Sequence, residues 1–530
     1  MTTNDTTLTT AQAPAVQAPA VQAPPAPAPT AEAPTDTSTR STASDRVAPQ
    51  QSEAEAKRNR VVIGLLLVSA FVVILNETIM GVALPRLMAD LSITAATGQW
   101  LTTGFMLTMA VVIPITGFLL QRFNTRPIFI AAMSLFSAGT LLAAVAPGFP
   151  ILLAGRIVQA SGTAIMMPLL MTTAMMLVPE ASRGRTMGNI SIVISVAPAI
   201  GPTISGLILQ ALSWRFMFII VFPIAVVALV LGAVLLKNVT VTRKTPLDVL
   251  SVVLSAFAFA GLLYGLSSVG EAASGSPQPV SPIVPVVVGV VALGLFILRQ
   301  TRLAPRDIAL LDLRTFRSRT FAISIAMIAV SMVALFGTLI ILPIYMQSVL
   351  GLTTLGTGLL LLPGGIVMGV LAPVVGRIYD RIGPTVLLVI GSALVSAALW
   401  TMTMVLHEGT PAYVIPMVHV VLSIGLAFTF TPLFTAALGS VRPELYSHGS
   451  AILGTVQQVA GGVGTALFVT LLSTGAAAQL TRGASETAAT ASGVQAAFLA
   501  GAIISLVALV ASFFVRKPVS QPGAAQVAVH

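Results

Sequence analysis

The chain has 530 residues, 56% of them hydrophobic and only 8% charged. Soluble domains carry roughly 25% charged residues, so a soluble chain of this composition would lack the polar surface to cover its core, and the bilayer is the solvent that removes the problem. The net charge of +10 falls in short clusters between apolar runs, as orientation signals do, and no nucleic-acid partner is expected. Cysteine is absent, which excludes disulfides, thiolate metal sites and cysteine nucleophiles.

Residues 1–56 hold AQAPAVQAPAVQAPPAPAPTAEAP. This Ala/Pro-rich stretch has no apolar stripe to bury and reads as a disordered cytoplasmic tail. It is not a signal peptide, because no basic segment precedes an apolar core. From Val61 onward, runs long enough to cross a bilayer lie near 61–84, 99–120, 127–146, 151–176, 187–210, 214–236, 247–269, 282–298, 321–346, 353–375, 384–405, 412–437, 449–474 and 493–515. Placing residue 60 inside puts Lys57, Arg58, Arg60, Arg122, Arg126, Arg183, Arg185, Lys237, Arg243, Lys244 and the basic residues of 299–319, 377–381, 442 and 516–517 on the inner face. Only Arg86, Arg215 and Arg482 remain outside. That bias supports the span count and puts both termini in the cytoplasm. The segment 299–320 is expected to lie partly as an amphipathic helix on the membrane.

Span 2 ends in GFLLQRFNTR (Gly117 to Arg126) and span 10 in GRIYDRIGPT (Gly376 to Thr385). Both give Gly and then Arg five places on, at the same membrane face. This repeat divides the chain into an N-terminal six-helix half (57–236), a two-helix insert with a cytoplasmic linker (237–320), a C-terminal six-helix half (321–516) and a C-terminal tail (517–530). Repeated halves are how many secondary transporters are built.

Of the 17 acidic residues, Glu77 is the one placed well inside a span. A charge at mid-membrane costs at least ~2.5–3.5 kcal/mol on insertion scales, so Glu77 needs a partner, water or a proton. A proton carrier fits, and a carboxylate locked in a permanent ion pair is the structural alternative. Arg156 is the basic residue clearly inside a span. Both lie about 8–10 Å below the outer surface at ~1.5 Å per residue, so a direct or water-bridged pair is expected. Asn76, Gln159, Asn189, Tyr345, Gln347, Gln457 and Gln458 are polar at membrane depth. They either bond helix to helix or, with Met, Phe and Trp100, line an adaptable substrate cavity. His419, read as the histidine at depth, is expected to be a satisfied core residue. In span 5, Ala197, Pro198, Ala199, Ile200, Gly201 and Pro202 with Gly206 allow a kink and close backbone approach. Asp380 and Arg381 are placed to pair with helix ends of the other half. Gln121 is neutral and cannot do so through an acid, although Arg122 remains, so an asymmetric inner gate is expected.

These pieces together resemble the major facilitator superfamily, and within it the fourteen-span drug:proton antiporter branch, from about Val61 to Val515. Span 1 ends LNETIMGVALP. The first inner loop resembles the superfamily's Gly-x-x-x-Asp-Arg-x-Gly-Arg-Lys motif, with Gln121 for Asp, Asn124 for Gly and Thr125 for the first basic residue, and the second copy keeps Asp380, Arg381 and Gly383. RIVQASGTA carries Arg156, Gln159 and Gly162, APAIGPTISG looks like the antiporter motif, and WRFMF follows at Trp214. LLDLRTFRSRTF and LPIYMQSVLGLTTLGTGLLLLPGG precede and fill spans 9 and 10. The resemblance implies an all-α membrane protein of the major facilitator fold, two six-helix halves plus two inserted helices. It implies proton-coupled multidrug efflux across the plasma membrane by alternating access, a coupling role for Arg156, and a tight, leak-resistant contact between halves at span 5. The branch's usual acid aligns with Asn76, one place before Glu77 and about 100° around the helix.

The expected partners are the lipid bilayer, protons and a small amphipathic drug-like substrate, with the chain acting as a monomer and no cofactor or metal. An ATP-driven pump is excluded by the lack of any Gly-Lys pair, which the phosphate-binding loop requires. A His-Glu-x-x-His enzyme is excluded because His407-Glu408 runs into Gly409-Thr410-Pro411. The remaining alternatives are an importer or uniporter of a polar solute, and a non-transporting receptor or scaffold.

Overall fold

The computed structural model describes residues 44–236, 238, 242, 246–273 and 280–517. They form α1 (Ser44–Leu91), α2 (Ala95–Arg122), α3 (Thr125–Ala144), α4 (Phe149–Leu177), α5 (Arg183–Ala211), α6 (Phe216–Leu235), α7 (Val249–Ala273), α8 (Ile283–Leu303), α9 (Arg319–Ser348), α10 (Thr354–Ile382), α11 (Thr385–Val405), α12 (Val414–Gly439), α13 (Tyr446–Leu480) and α14 (Glu486–Ser512). All 14 contain a stretch long and apolar enough to cross a membrane, one for each span read from the sequence. No strand occurs among the described residues. Even β-branched runs such as IVPVVVGVVALGLFIL in α8 are helical, because within hydrocarbon a helix satisfies every backbone donor and acceptor by itself.

Two expectations change at the edges of the spans. Helix α1 already begins at Ser44, inside the stretch read as a disordered tail. Its SEAEAKRNR portion is rich in the good helix formers Ala, Glu, Lys and Arg. Residues 1–43 and 518–530, and the basic residues Lys237, Arg243 and Lys244, lie outside the described residues. The expected amphipathic helix at 299–320 is absent: α8 stops at Leu303, and only two short 3₁₀ turns, Ala304–Arg306 and Leu313–Arg317, precede α9. Pro305 lacks the donor that would continue α8, and Asp307 turns the chain in the left-handed region at φ 54°.

Helices α1–α6 and α9–α14 form the two halves, and α5 lies antiparallel along α10 in the most extensive contact between them. Small residues set the approach. A side-chain carbon added at Gly184 would strike Gly376 and Asp380, one at Gly188 would strike Ala372, one at Gly369 would strike Val196, and one at Gly365 would strike Ala199. The α7–α8 hairpin packs on α2 and α13, with Leu263 against Gly462 and Trp100 stacked on Tyr264 at 5.9 Å. At the basic end of the bundle, where α2 ends and α5 begins, the halves are hydrogen-bonded together by Thr172 to Ser450 at 3.1 Å and Thr431 to Ser191 at 3.0 Å.

Candidate substrate and coupling site

Arg156 projects from α4 and is 1% exposed. Glycines let α3 and α4 touch backbone to backbone: a side-chain carbon at Gly139 would overlap Gln159, and one at Gly162 would overlap Phe136. That approach brings Thr140 to Gln159. The Thr140 hydroxyl donates to Phe136 O at 2.6 Å and accepts from Gln159 Nε2 at 2.7 Å. Gln159 Oε1 then accepts from Arg156 Nη1 at 2.7 Å, and Asn76 Oδ1 on α1 accepts from the same nitrogen at 3.2 Å. The guanidinium also lies 4.1 Å from the centre of the Phe105 ring on α2, a cation–π contact. Thr140 and Phe105 were missed in the sequence reading, since neither carries a charge and both look like ordinary membrane residues.

The expected direct pair is not formed. No ion pair joins Glu77 to Arg156, although each carboxylate and guanidinium lies in the other's field. The reason is the one-residue offset. Asn76 is 1% exposed and turned to α4, Thr78 faces Ala197 and Gly201 on α5, and Glu77 points between them, half-buried.

The other cavity candidates divide. Gln457 and Gln458 are half-buried on α13, and Gln458 Nε2 meets Met109 Sδ at 3.5 Å, one helical turn from Phe105. Asn189 is half-buried on α5 beside Gly188. Tyr345 and Gln347 are set apart at the far end of α9. The Tyr345 hydroxyl donates to His407 O at 2.7 Å and braces the loop between α11 and α12, while Gln347 is exposed. His419 is not the satisfied core group expected, because its Nδ1 is buried without a hydrogen-bond partner. It is also not alone: α13 starts at Tyr446, three residues before the span edge read from the sequence, and so includes His448, which is 4% exposed.

Asp380 lies against the first turn of α5. Its Oδ1 accepts from Gly184 N at 2.7 Å and its Oδ2 from Arg185 N at 3.0 Å, so the carboxylate of one half sits on the helix N-terminus of the other. Arg381 is exposed in the last turn of α10. Gln121 makes a single bond, Nε2 to Glu444 O at 3.2 Å, and the neighbouring Arg122 is exposed. In span 5, Gly201 packs on Thr78 within its own half, and Gly206 has open space around it. The close contact between halves runs along α5 from Gly184 and Gly188 to Val196 and Ala199, against Gly376, Ala372, Gly369 and Gly365 of α10. Within the Pro198–Gly206 run it is Ala199, and not Gly201 or Gly206, that meets the other half. Pro198 is half-buried, and the Pro202 side chain lies outside the described residues.

At the ends of α7 and α8 and in the linker that follows, two clusters were not anticipated. Arg299 donates to both oxygens of Asp248 at 2.7 Å. This bond, helped by Ser251, holds the carboxyl below its ordinary value although burial opposes it. Gln300 Oε1 takes the backbone N–H of Leu310 at 2.8 Å and of Leu311 at 3.2 Å, and its Nε2 donates to Ser251 at 2.7 Å. Arg314 bonds Asp312 and Asp307, which hold the guanidinium above its ordinary value. Apolar length ends span 8 at residue 298 and puts all of these residues but Asp248 and Ser251 in the segment expected to lie partly as an amphipathic helix, so it gives no sign of either cluster.

The Major Facilitator Superfamily profile matches residues 66–465. The chain is 43% identical over 458 residues to an uncharacterized MFS-type transporter of Bacillus subtilis, covering 86% of this chain and 95% of that one. It is 40% identical over 461 residues to the lincomycin resistance protein of Listeria monocytogenes, covering 86% and 96%. It is 29% identical over 410 residues to a multidrug resistance protein B homolog of Mycobacterium tuberculosis, covering 77% and 75%. The fold is similar to that of the proton:xylose symporter XylE, with a TM-score of 0.58 at 13% identity over 87% of this chain and 97% of that one.

Proposed function

From the premise that this chain belongs to the major facilitator superfamily, and is a multi-pass membrane transporter with drug-resistance relatives, we propose that it exports small amphipathic molecules across the plasma membrane in exchange for protons. The observation that carries this reading is a buried guanidinium tied to neutral amides with a membrane carboxylate, Glu77, in its field but not bonded to it. A carboxylate so placed is free to take up and give back a proton, and its attraction to Arg156 changes whenever substrate or helix movement changes their separation.

Alternating access supplies that movement. The seal of Asp380 on the start of α5, with Thr172–Ser450 and Thr431–Ser191, supports a state closed at the basic end, which the loop charges assign to the cytoplasm. Both termini then lie in the cytoplasm, and the chain works as a monomer. Everted vesicles test the reading: adding a transported amphiphile to energised vesicles should release protons from the lumen. An importer or uniporter of a polar solute, or a receptor, would show no such substrate-dependent release.

A further inference from the structure

The polar network around Arg156 leaves two buried donors without partners, on adjoining residues. Thr140 gives its proton to Phe136 O, so it must accept from Gln159, which fixes the Gln159 amide with Oε1 toward Arg156. Arg156 carries only donors, so Asn76 must also turn its oxygen to it. Both amide oxygens of the network are therefore turned to Arg156 Nη1. Asn76 Nδ2 and Arg156 Nε are left buried with no partner, and both residues are 1% exposed. Exchanging O and N of either amide would set N–H groups against each other, so the result does not depend on how the amides are drawn. Buried donors without acceptors are costly, and a ligand oxygen placed against them removes that cost.

Beside these donors lies an apolar wall: Phe105, which covers the guanidinium, with Met109, Ile113, Ala160 and Ala164. We propose that Asn76 and Arg156 form a substrate subsite for an uncharged hydrogen-bond acceptor, such as an amide or ketone oxygen, carried by an amphiphile whose apolar body rests on the Phe105–Met109 wall. The acceptor is uncharged because Glu77 already supplies negative charge within Coulombic range of Arg156. The inference rests on the efflux reading and narrows its substrate class.

The test uses purified full-length protein in nanodiscs and two radiolabelled probes, measured by equilibrium dialysis. Chloramphenicol offers an amide oxygen, whereas tetraphenylphosphonium offers no acceptor. Asn76→Leu keeps the volume and removes the donor. We expect it to weaken chloramphenicol binding about tenfold, as loss of one hydrogen bond to a buried donor does, and to leave tetraphenylphosphonium affinity unchanged, while loss of the Oδ1 that accepts from Arg156 lowers the unfolding temperature. If Asn76→Leu does not fold, Asn76→Ala is read the same way. Unchanged chloramphenicol affinity, equal losses for both probes, or wild-type protein that binds tetraphenylphosphonium but not chloramphenicol overturns the subsite and leaves the efflux reading standing. Wild-type protein that binds neither probe overturns both.

Discussion

Asp380 and Gly184 are joined across the two halves by a 2.7 Å hydrogen bond from the glycine N–H to the carboxylate. A second bond from Arg185 N at 3.0 Å places a negative charge on a helix N-terminus, where the backbone donors and the helix dipole favour it by up to about 1–2 kcal/mol. Gln121, at the equivalent position of the first half, makes one neutral bond at an exposed site. We therefore expect Asp380→Asn to reduce transport several-fold at normal expression, and Gln121→Ala to have a much smaller effect. Equal, negligible effects on dye efflux from cells would mean that the asymmetry has no functional weight.

The glycines of the α5–α10 seam allow a sharper contrast. A side chain at Gly376 would meet the backbone of Gly184 and Arg185, while one at Gly206 would meet nothing within 4 Å. Gly376→Ala should block closure at the basic end, because backbone cannot move aside as a flexible side chain can. Gly206→Ala should be tolerated. Cross-linking of cysteine pairs introduced at Arg185 and Arg377 reports closure, and undiminished cross-linking in Gly376→Ala would refute the steric argument.

The Asp248–Arg299 pair ties the start of α7 to α8 next to Gln300, which holds the linker through Leu310 and Leu311. Because the folded Asp248 carboxyl is held below its ordinary value, its contribution to stability is complete above the unfolded value and is lost as pH falls through the folded one. Asp248→Asn should lower the unfolding temperature at neutral pH, and the difference from wild type should shrink as the pH drops below the ordinary carboxylate range. A difference that stayed constant down to strongly acid pH would exclude the ion pair as its source.

Much of the fold was legible because the bilayer imposes a simple rule on the chain. Apolar length alone located each helix, and failure came only where length was not the governing quantity, as at Pro305 and Asp307, where backbone chemistry ends α8 and turns the chain. The site was legible in part. Charge at depth singled out Glu77 and Arg156, and the motif spacing singled out Asp380. The partner of Arg156 was not readable, because whether α4 meets residue 76 or 77 depends on the rotation of α1, and one residue changes the facing direction by about 100°. Thr140 was invisible for a related reason: its role comes from the α3–α4 approach permitted by Gly139 and Gly162, and not from its own polarity.

The final prediction concerns coupling. Glu77 is the carboxylate in the field of Arg156, and Arg156 is held by Asn76 and Gln159 in a fixed orientation. On this reading, Glu77 takes a proton from the outer side, carries it through closure, and releases it inward, with drug binding favouring the deprotonated form. Glu77→Gln keeps size and hydrogen bonding but cannot ionise, so it should abolish uphill efflux while still permitting downhill exchange. Glu77→Asp, shorter by one methylene, should retain part of the activity with a displaced pH optimum. Arg156→Lys should weaken coupling less than Arg156→Ala. The lysine keeps the charge that Glu77 senses, but it lacks the planar fork and the Phe105 stacking that arginine provides. Efflux into everted vesicles across a pH series, at matched protein levels, measures all four variants. Wild-type uphill pumping by Glu77→Gln would show that the proton rides on another group. His419, whose buried Nδ1 has no partner, would be the next residue to replace.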